Sequence, residues 1–173
     1  DRHMSLEERT ALANRLDADV FVSIHANSNK VKSVHGIETY YLDVTSDRYA
    51  LRLAAVENNT SEEQVGDIPL ILTDLANKAS LPQSIELARL VQNRLVEAAR
   101  TRHDAVRDLG VKPSLFYVLL GARMPAVLVE TGFLSNGKEA KLLTDSAYQR
   151  AVAQALADAL IDHLRQPVQI VQP

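Results

Sequence analysis

The chain has 173 residues, a formal net charge of -3 and a hydrophobic fraction of 46%, which suits one compact domain with a sizeable core. Mild acidity without a basic run argues against a nucleic-acid partner. The absence of cysteine excludes disulfides, thiolate metal sites and cysteine nucleophiles. No apolar run approaches the ~20 residues that span a bilayer. The chain opens at Asp1-Arg2-His3-Met4 without an initiator or a secretory signal, so an upstream segment is expected.

Ser5-Leu6-Glu7-Glu8 reads as a capping box, with a helix running from it to about Asp17. Val20 to Asn27 reads as a short buried strand that carries His25 to its carboxyl end. Asn27 to Ser33 is polar and reads as a loop, with His35 closing it. Gly36 to Leu42 alternates, with β-branched and aromatic residues, and predicts a second strand. A helical pattern covers Asp47 to Glu63, and an irregular excursion with scattered apolar residues follows from Thr60 to Ser80. Ser80, with Gln83 in the capping-box position, predicts the start of a long helix whose apolar stripe is Ile85, Ala88, Val91, Leu95 and Ala98. Asp108-Leu109-Gly110 reads as the end of that helical region, and Leu115 to Leu120 as a third strand. Ala126 to Glu130 is a fourth, ending on a carboxylate. Asn136 and Glu139 open a helix, a last helix runs to about Arg165, and residues 166–173 read as a frayed tail. Helices interleaved with short apolar strands predict an α/β fold, a single layered domain with a central mostly parallel or mixed sheet flanked by helices.

Strand ends are where open α/β sheets collect chemistry, so His25 and Glu130 together suggest a metal site with a base beside it. Taken singly, each also reads as an ordinary hydrogen-bonded or solvated residue.

Four segments in order carry a resemblance: Ser-Leu-Glu-Glu-Arg-Thr-Ala-Leu-Ala-Asn (5–14), Val-Ser-Ile-His-Ala-Asn (22–27), Gly-Ile-Glu-Thr-Tyr-Tyr-Leu (36–42) and Val-Leu-Val-Glu-Thr-Gly-Phe-Leu-Ser-Asn (127–136). The set resembles the zinc-dependent N-acetylmuramoyl-L-alanine amidases of the bacterial cell wall, of phosphorylase/hydrolase-like fold. The resemblance implies that His25 is a zinc ligand and Glu130 the catalytic glutamate. It implies hydrolysis of the amide between N-acetylmuramic acid and L-alanine of the stem peptide, with peptidoglycan as substrate. Glu57 resembles the glutamate that caps the metal in division-associated members; an exposed helix carboxylate is the other reading, and both stay open.

The same resemblance casts residues 57–80 as a regulatory lid released by a LytM-like activator, and places the protein in the periplasm or cell envelope. Residues 1–165 would then be a catalytic domain without its N-terminal portion. The family's first two zinc ligands, a histidine and a glutamate, lie upstream of anything matched here, and His3 matches neither. Zinc is therefore expected to bind this chain weakly, and the chain is expected to be inactive and prone to self-association when alone. Two other functional classes remain: a catalytically silent cell-wall binding or regulatory module of the same fold, and an unrelated zinc carboxypeptidase-type hydrolase.

Overall fold

The computed structural model describes residues 2–66, 80–103 and 106–166. Most of the expected lid (67–79) and all but the first residue of the expected tail (167–173) lie outside the described residues. Four strands form one mixed sheet: β1 (Phe21–Asn27), β2 (Ile37–Leu42), β3 (Asp108–Ser114) and β4 (Ala126–Phe133), in the order β1-β4-β2-β3. The β1–β4 and β2–β3 pairs are parallel, and β2–β4 is antiparallel.

Helices cover both faces. On one lie α1 (Leu6–Arg15), α2 (Arg48–Glu57), the short α3 (Glu62–Gly66) and a 3-10 turn (Tyr117–Leu119). They bury Tyr40, Leu42, Ala126 and Leu128 of the sheet against Ala50, Leu53, Phe116 and Leu119. On the other lie α4 (Leu81–Arg100) and α6 (Ser146–Arg165), which pack Leu87, Val91, Leu95, Leu156 and Ala159 against Ile37, Val127 and Val129. A short α5 (Gly137–Leu143) follows β4. The alternation of side chains along a strand separates these two cores.

Local chemistry sets the ends of these elements. Ser5 Oγ accepts from the Glu8 amide at 3.2 Å and the Ser5 amide donates back to Glu8 Oε2 at 2.8 Å, so the expected capping box forms. Asn136 caps α5, but Glu139 does not complete a box there. Its buried carboxylate turns inward and accepts from the amides of Gly36 at 2.9 Å and Phe133 at 2.8 Å. It thereby ties the start of β2 to the end of β4.

Several expectations are corrected. The third strand is Asp108–Ser114, not Leu115 to Leu120. Gly110, at φ 81°, and Pro113 hide it in the sequence, and both are tolerated because β3 is an edge strand. The apolar run after it instead turns into the core as the 3-10 segment, with Phe116, Val118 and Leu119 buried. The helix expected over 47–63 breaks in two after Glu57. Asn58 caps it, donating to the Leu115 carbonyl and accepting from the Tyr117 amide, both at 2.8 Å, and Asn59 takes φ 53°. Ser80 does precede α4, but its side chain makes no cap bond, so there is no capping box. Finally, β1 is not a buried strand. It lies at the sheet edge, with Ile24 61% exposed.

Gly36 supports the approach of β2 to β3. At φ 130°, an added Cβ would lie 2.6 Å from the Arg107 carbonyl oxygen. Gly121 also has positive φ, 79°, but has open space around it. Gly36→Ala should therefore cost about 2–6 kcal/mol from backbone strain plus overpacking. Gly121→Ala should cost only the backbone term of about 1–2 kcal/mol. Urea midpoints for the two variants test this, and equal losses would contradict it.

Candidate metal centre

Sheet register assembles the centre. His25 on β1 is the cross-strand partner of Glu130 on β4, Glu130 that of Glu38 on β2, and Glu38 that of Gly110 on β3. Residues directly opposite one another share a sheet face, so one row carries an imidazole and two carboxylates side by side. Ser23 and Asn27, two residues before and after His25, flank it on the same face of β1.

Helix α2 crosses this face and adds a third carboxylate. The Asp47 cap starts the helix and Asn58 stops it, which leaves Glu57 at its last position with Oε2 2.8 Å from His25 Nδ1. The other ring nitrogen, Nε2, lies 2.9 Å from Ser23 Oγ. Donor atoms of His25, Glu57 and Glu130 all lie within 4.8 Å of one another. Those are the three residues singled out in the sequence, and the fold brings them together. His3 is exposed outside the cluster. His35 sits in the loop, its Nδ1 2.8 Å from the Ser33 carbonyl, beside a separate cavity of about 670 Å³ that Glu139 and His103 also line.

The two carboxylates of the row have opposite surroundings. Both are fully buried. Glu38 is fully satisfied. Its Oε1 accepts from Asn27 Nδ2 at 2.8 Å and the Tyr49 hydroxyl at 2.9 Å, and its Oε2 accepts from Lys112 Nζ at 2.7 Å. Neither oxygen of Glu130 has a hydrogen-bond partner among the described residues. Burial, then repulsion from Glu57 and from Glu38, pushes the Glu130 carboxyl up to about 9. A buried carboxylate with no donor needs either a proton or a cation.

Three carboxylates against one ammonium, with a histidine among them, favour a cation, and the donor set fits one. Imidazole nitrogen and carboxylate oxygen are the ligands zinc accepts in cysteine-free sites, and a catalytic zinc takes three protein ligands with one position open. The residues present therefore offer a divalent metal two ligands, His25 and Glu57, with the Glu130 carboxylate beside them to act as a base. Sequence reasoning missed Glu38, Tyr49, Asn27, Ser23 and Lys112. Glu38 had a signal, being a charged residue on the inward phase of a strand. Lys112 had none while β3 went unrecognised.

Comparison with known proteins agrees with this architecture. The family model described as N-acetylmuramoyl-L-alanine amidase matches residues 1–162. The amidase LytC of Bacillus subtilis is 33% identical over 95% of this chain and 25% of its own length. The amidase AmiC of Neisseria meningitidis is 32% identical over 92% of this chain and 39% of its own. The chain thus spans between a quarter and two fifths of these relatives. Among solved structures, an N-acetylmuramoyl-L-alanine amidase from Clostridium difficile 630 superposes with a TM-score of 0.68 at 30% identity, over 95% of this chain and 67% of that one. The catalytic domain of CwlV from Bacillus (Paenibacillus) polymyxa var. colistinus gives 0.65 at 30% identity, over 95% and 68%. The family model covers nearly the whole chain, and the chain is a member of the N-acetylmuramoyl-L-alanine amidases.

Proposed function

We propose that this chain is the zinc-dependent catalytic part of a peptidoglycan hydrolase. It cleaves the amide between the lactyl carboxyl of N-acetylmuramic acid and L-alanine of the stem peptide. The observation that carries the reading is the convergence of His25, Glu57 and Glu130 within 4.8 Å, with both Glu130 oxygens unpartnered among the described residues. Membership of the family supports it.

A zinc ion bound there would polarise the scissile carbonyl and make a water acidic enough to attack near neutral pH. The protein's own contribution centres on Glu130. Its carboxylate takes the proton of the attacking water and returns it to the nitrogen of the departing alanine. A dry, like-charged pocket suits that task, because it raises the affinity of the carboxylate for a proton in transit. Ser23, against Nε2, fixes the imidazole ring, and the strand positions of His25 and Glu130 hold both groups to one side of the substrate bond.

Glu57 has a second role in this reading. It lies on the donor that would face the metal, so it fills the position that water and substrate need. In this reading the site is closed, and residues 57–80 act as the regulatory element. An activator of the LytM-like kind would withdraw it. One relative, the CwlD amidase from Clostridioides difficile, has been solved in complex with the GerS lipoprotein, which supports control by a partner. Such an enzyme works in the cell envelope during division, where peptidoglycan is remodelled. No described helix is long and apolar enough to cross a membrane.

Three outcomes are expected. In a complete catalytic domain, Glu130→Ala should lower dye release from purified peptidoglycan by ~10²–10⁴-fold while zinc content stays at the wild-type level. Loss of zinc together with activity would make Glu130 a ligand instead. In the same complete domain, Glu57→Ala should raise hydrolysis in the absence of any partner; an inactive, zinc-free variant would show that Glu57 holds the metal rather than guards it.

The third concerns pH. The Glu130 carboxyl titrates at about 9 in the fold against 4.5 for the free side chain, so between those values the native state holds the extra proton. Stability of the metal-free protein is therefore highest below the unfolded value and falls as pH rises toward the folded one. Urea melts with a chelator between about pH 5 and pH 8 should show this slope, and Glu130→Gln should flatten it. An equal slope in both proteins would contradict the raised carboxyl.

A further inference from the structure

The three donors of the metal centre come from three different elements: His25 from β1, Glu130 from β4 and Glu57 from α2. Something must hold these elements in mutual register, and the donors cannot do it themselves. Two of them are carboxylates that repel one another. They meet in a short contact between Glu57 Oε2 and His25 Nδ1, 2.8 Å apart.

Glu38 touches all three elements. Its backbone pairs with Glu130 across β2 and β4. Its Oε1 accepts from Asn27, two residues beyond His25 on β1, and from Tyr49, near the start of α2. Asn27 Nδ2 also lies 3.2 Å from the Tyr49 hydroxyl, so carboxylate, amide and phenol form a closed triangle. The Asn27 carbonyl accepts from the Leu134 amide at 2.7 Å, carrying the link to the segment just after β4. Lys112 from β3 supplies the countercharge at Oε2 and lies 5.1 Å from the centre of the Tyr49 ring. An uncompensated carboxylate at this depth would be expelled or protonated, so Lys112 lets Glu38 serve as an acceptor for both neighbours.

From this geometry we infer that Glu38, supported by Lys112, is the positioning residue of the metal centre: through Asn27 and Tyr49 it fixes the strand bearing His25 and the helix bearing Glu57 against the strand bearing Glu130. Glu38 touches neither metal nor substrate. It acts on the separation of the three donors. The inference rests on the metal-site reading given above. It assigns work to a residue that would otherwise be a buried charge without purpose.

Two variants and a rescue test it in the purified protein. Glu38→Leu keeps the volume and removes the acceptor. Tyr49→Phe keeps the ring and the helix and removes one hydroxyl, so it decides the matter if the first variant fails to fold. Glu38→Gln combined with Lys112→Met removes both charges and keeps an oxygen for Asn27 and Tyr49. In crystals of the metal-free protein, the donors of His25, Glu57 and Glu130 should spread beyond their 4.8 Å grouping in the two single variants and stay grouped in the double variant. Zinc affinity measured by titration should fall about 10–100-fold in Glu38→Leu and about tenfold in Tyr49→Phe, and stay within about threefold of wild type in the double variant.

A merely structural residue would lower the melting temperature without moving donors or zinc affinity. Donors unmoved in the folded variants, or a double variant as impaired as Glu38→Leu, overturns the inference. A wild-type protein that binds no zinc and cleaves nothing refutes the proposed function instead, and the donor positions in the crystals still decide the role of Glu38.

Discussion

The pairing of β4 with β1 on one side and β2 on the other is the constraint on which everything else depends. It puts His25, Glu130 and Glu38 in a single row on a single face. A slip of one residue in either pairing would send that strand's ionisable side chain into the opposite, largely apolar core. The register is secured from outside the row. Glu139 clamps the amides of Gly36 and Phe133, and Thr131 Oγ1 donates to the His25 carbonyl at 2.9 Å. Val127 and Val129, alternating with Ala126, Leu128 and Glu130 along β4, anchor the other face under α4 and α6.

A row of this kind is electrostatically unfavourable in the bare protein. Two fully buried carboxylates stand on neighbouring strands, and a third arrives on α2. The fold resolves this asymmetrically. Glu38 receives an ammonium, a phenol and an amide, while Glu130 receives nothing from the described residues. Leaving one buried carboxylate without a donor is destabilising unless a proton or cation completes it. That cost is characteristic of a functional site, where stability is given up for reactivity.

Helix α2 joins these two halves. Its apolar side, Ala50, Leu53 and Ala54, is part of the core, so it is not a loose flap. Its polar side contacts the row at two places, Tyr49 on Glu38 and Glu57 on His25. In the proposed function, opening the site displaces the second contact. The first can persist, because it lies about two turns away and is anchored by a satisfied, charge-balanced carboxylate.

Much of this was legible in the sequence for local reasons. The capping box at Ser5, the β-branched run ending in His25, the strand ending in Glu130 and the amphipathic stripes of the two long helices are all short-range patterns. The ordered motifs were enough to name the family. The Glu57 helix end, Lys112 and β3 were not legible, because each depends on partners far away in the chain. Asn58 stops α2 by bonding to Leu115 and Tyr117, some sixty residues on. A strand containing Gly110 and Pro113 forms because it needs pairing on one side only. Glu38 looked like one more alternating strand residue until Lys112, seventy-four positions away, was found against it. The sequence by itself determined which residues could carry the chemistry, since side-chain type and strand phase are local properties. Only the tertiary structure decided that Glu130 would be left without a donor among the described residues while Glu38 was given three, because burial and charge balance are properties of the assembled core.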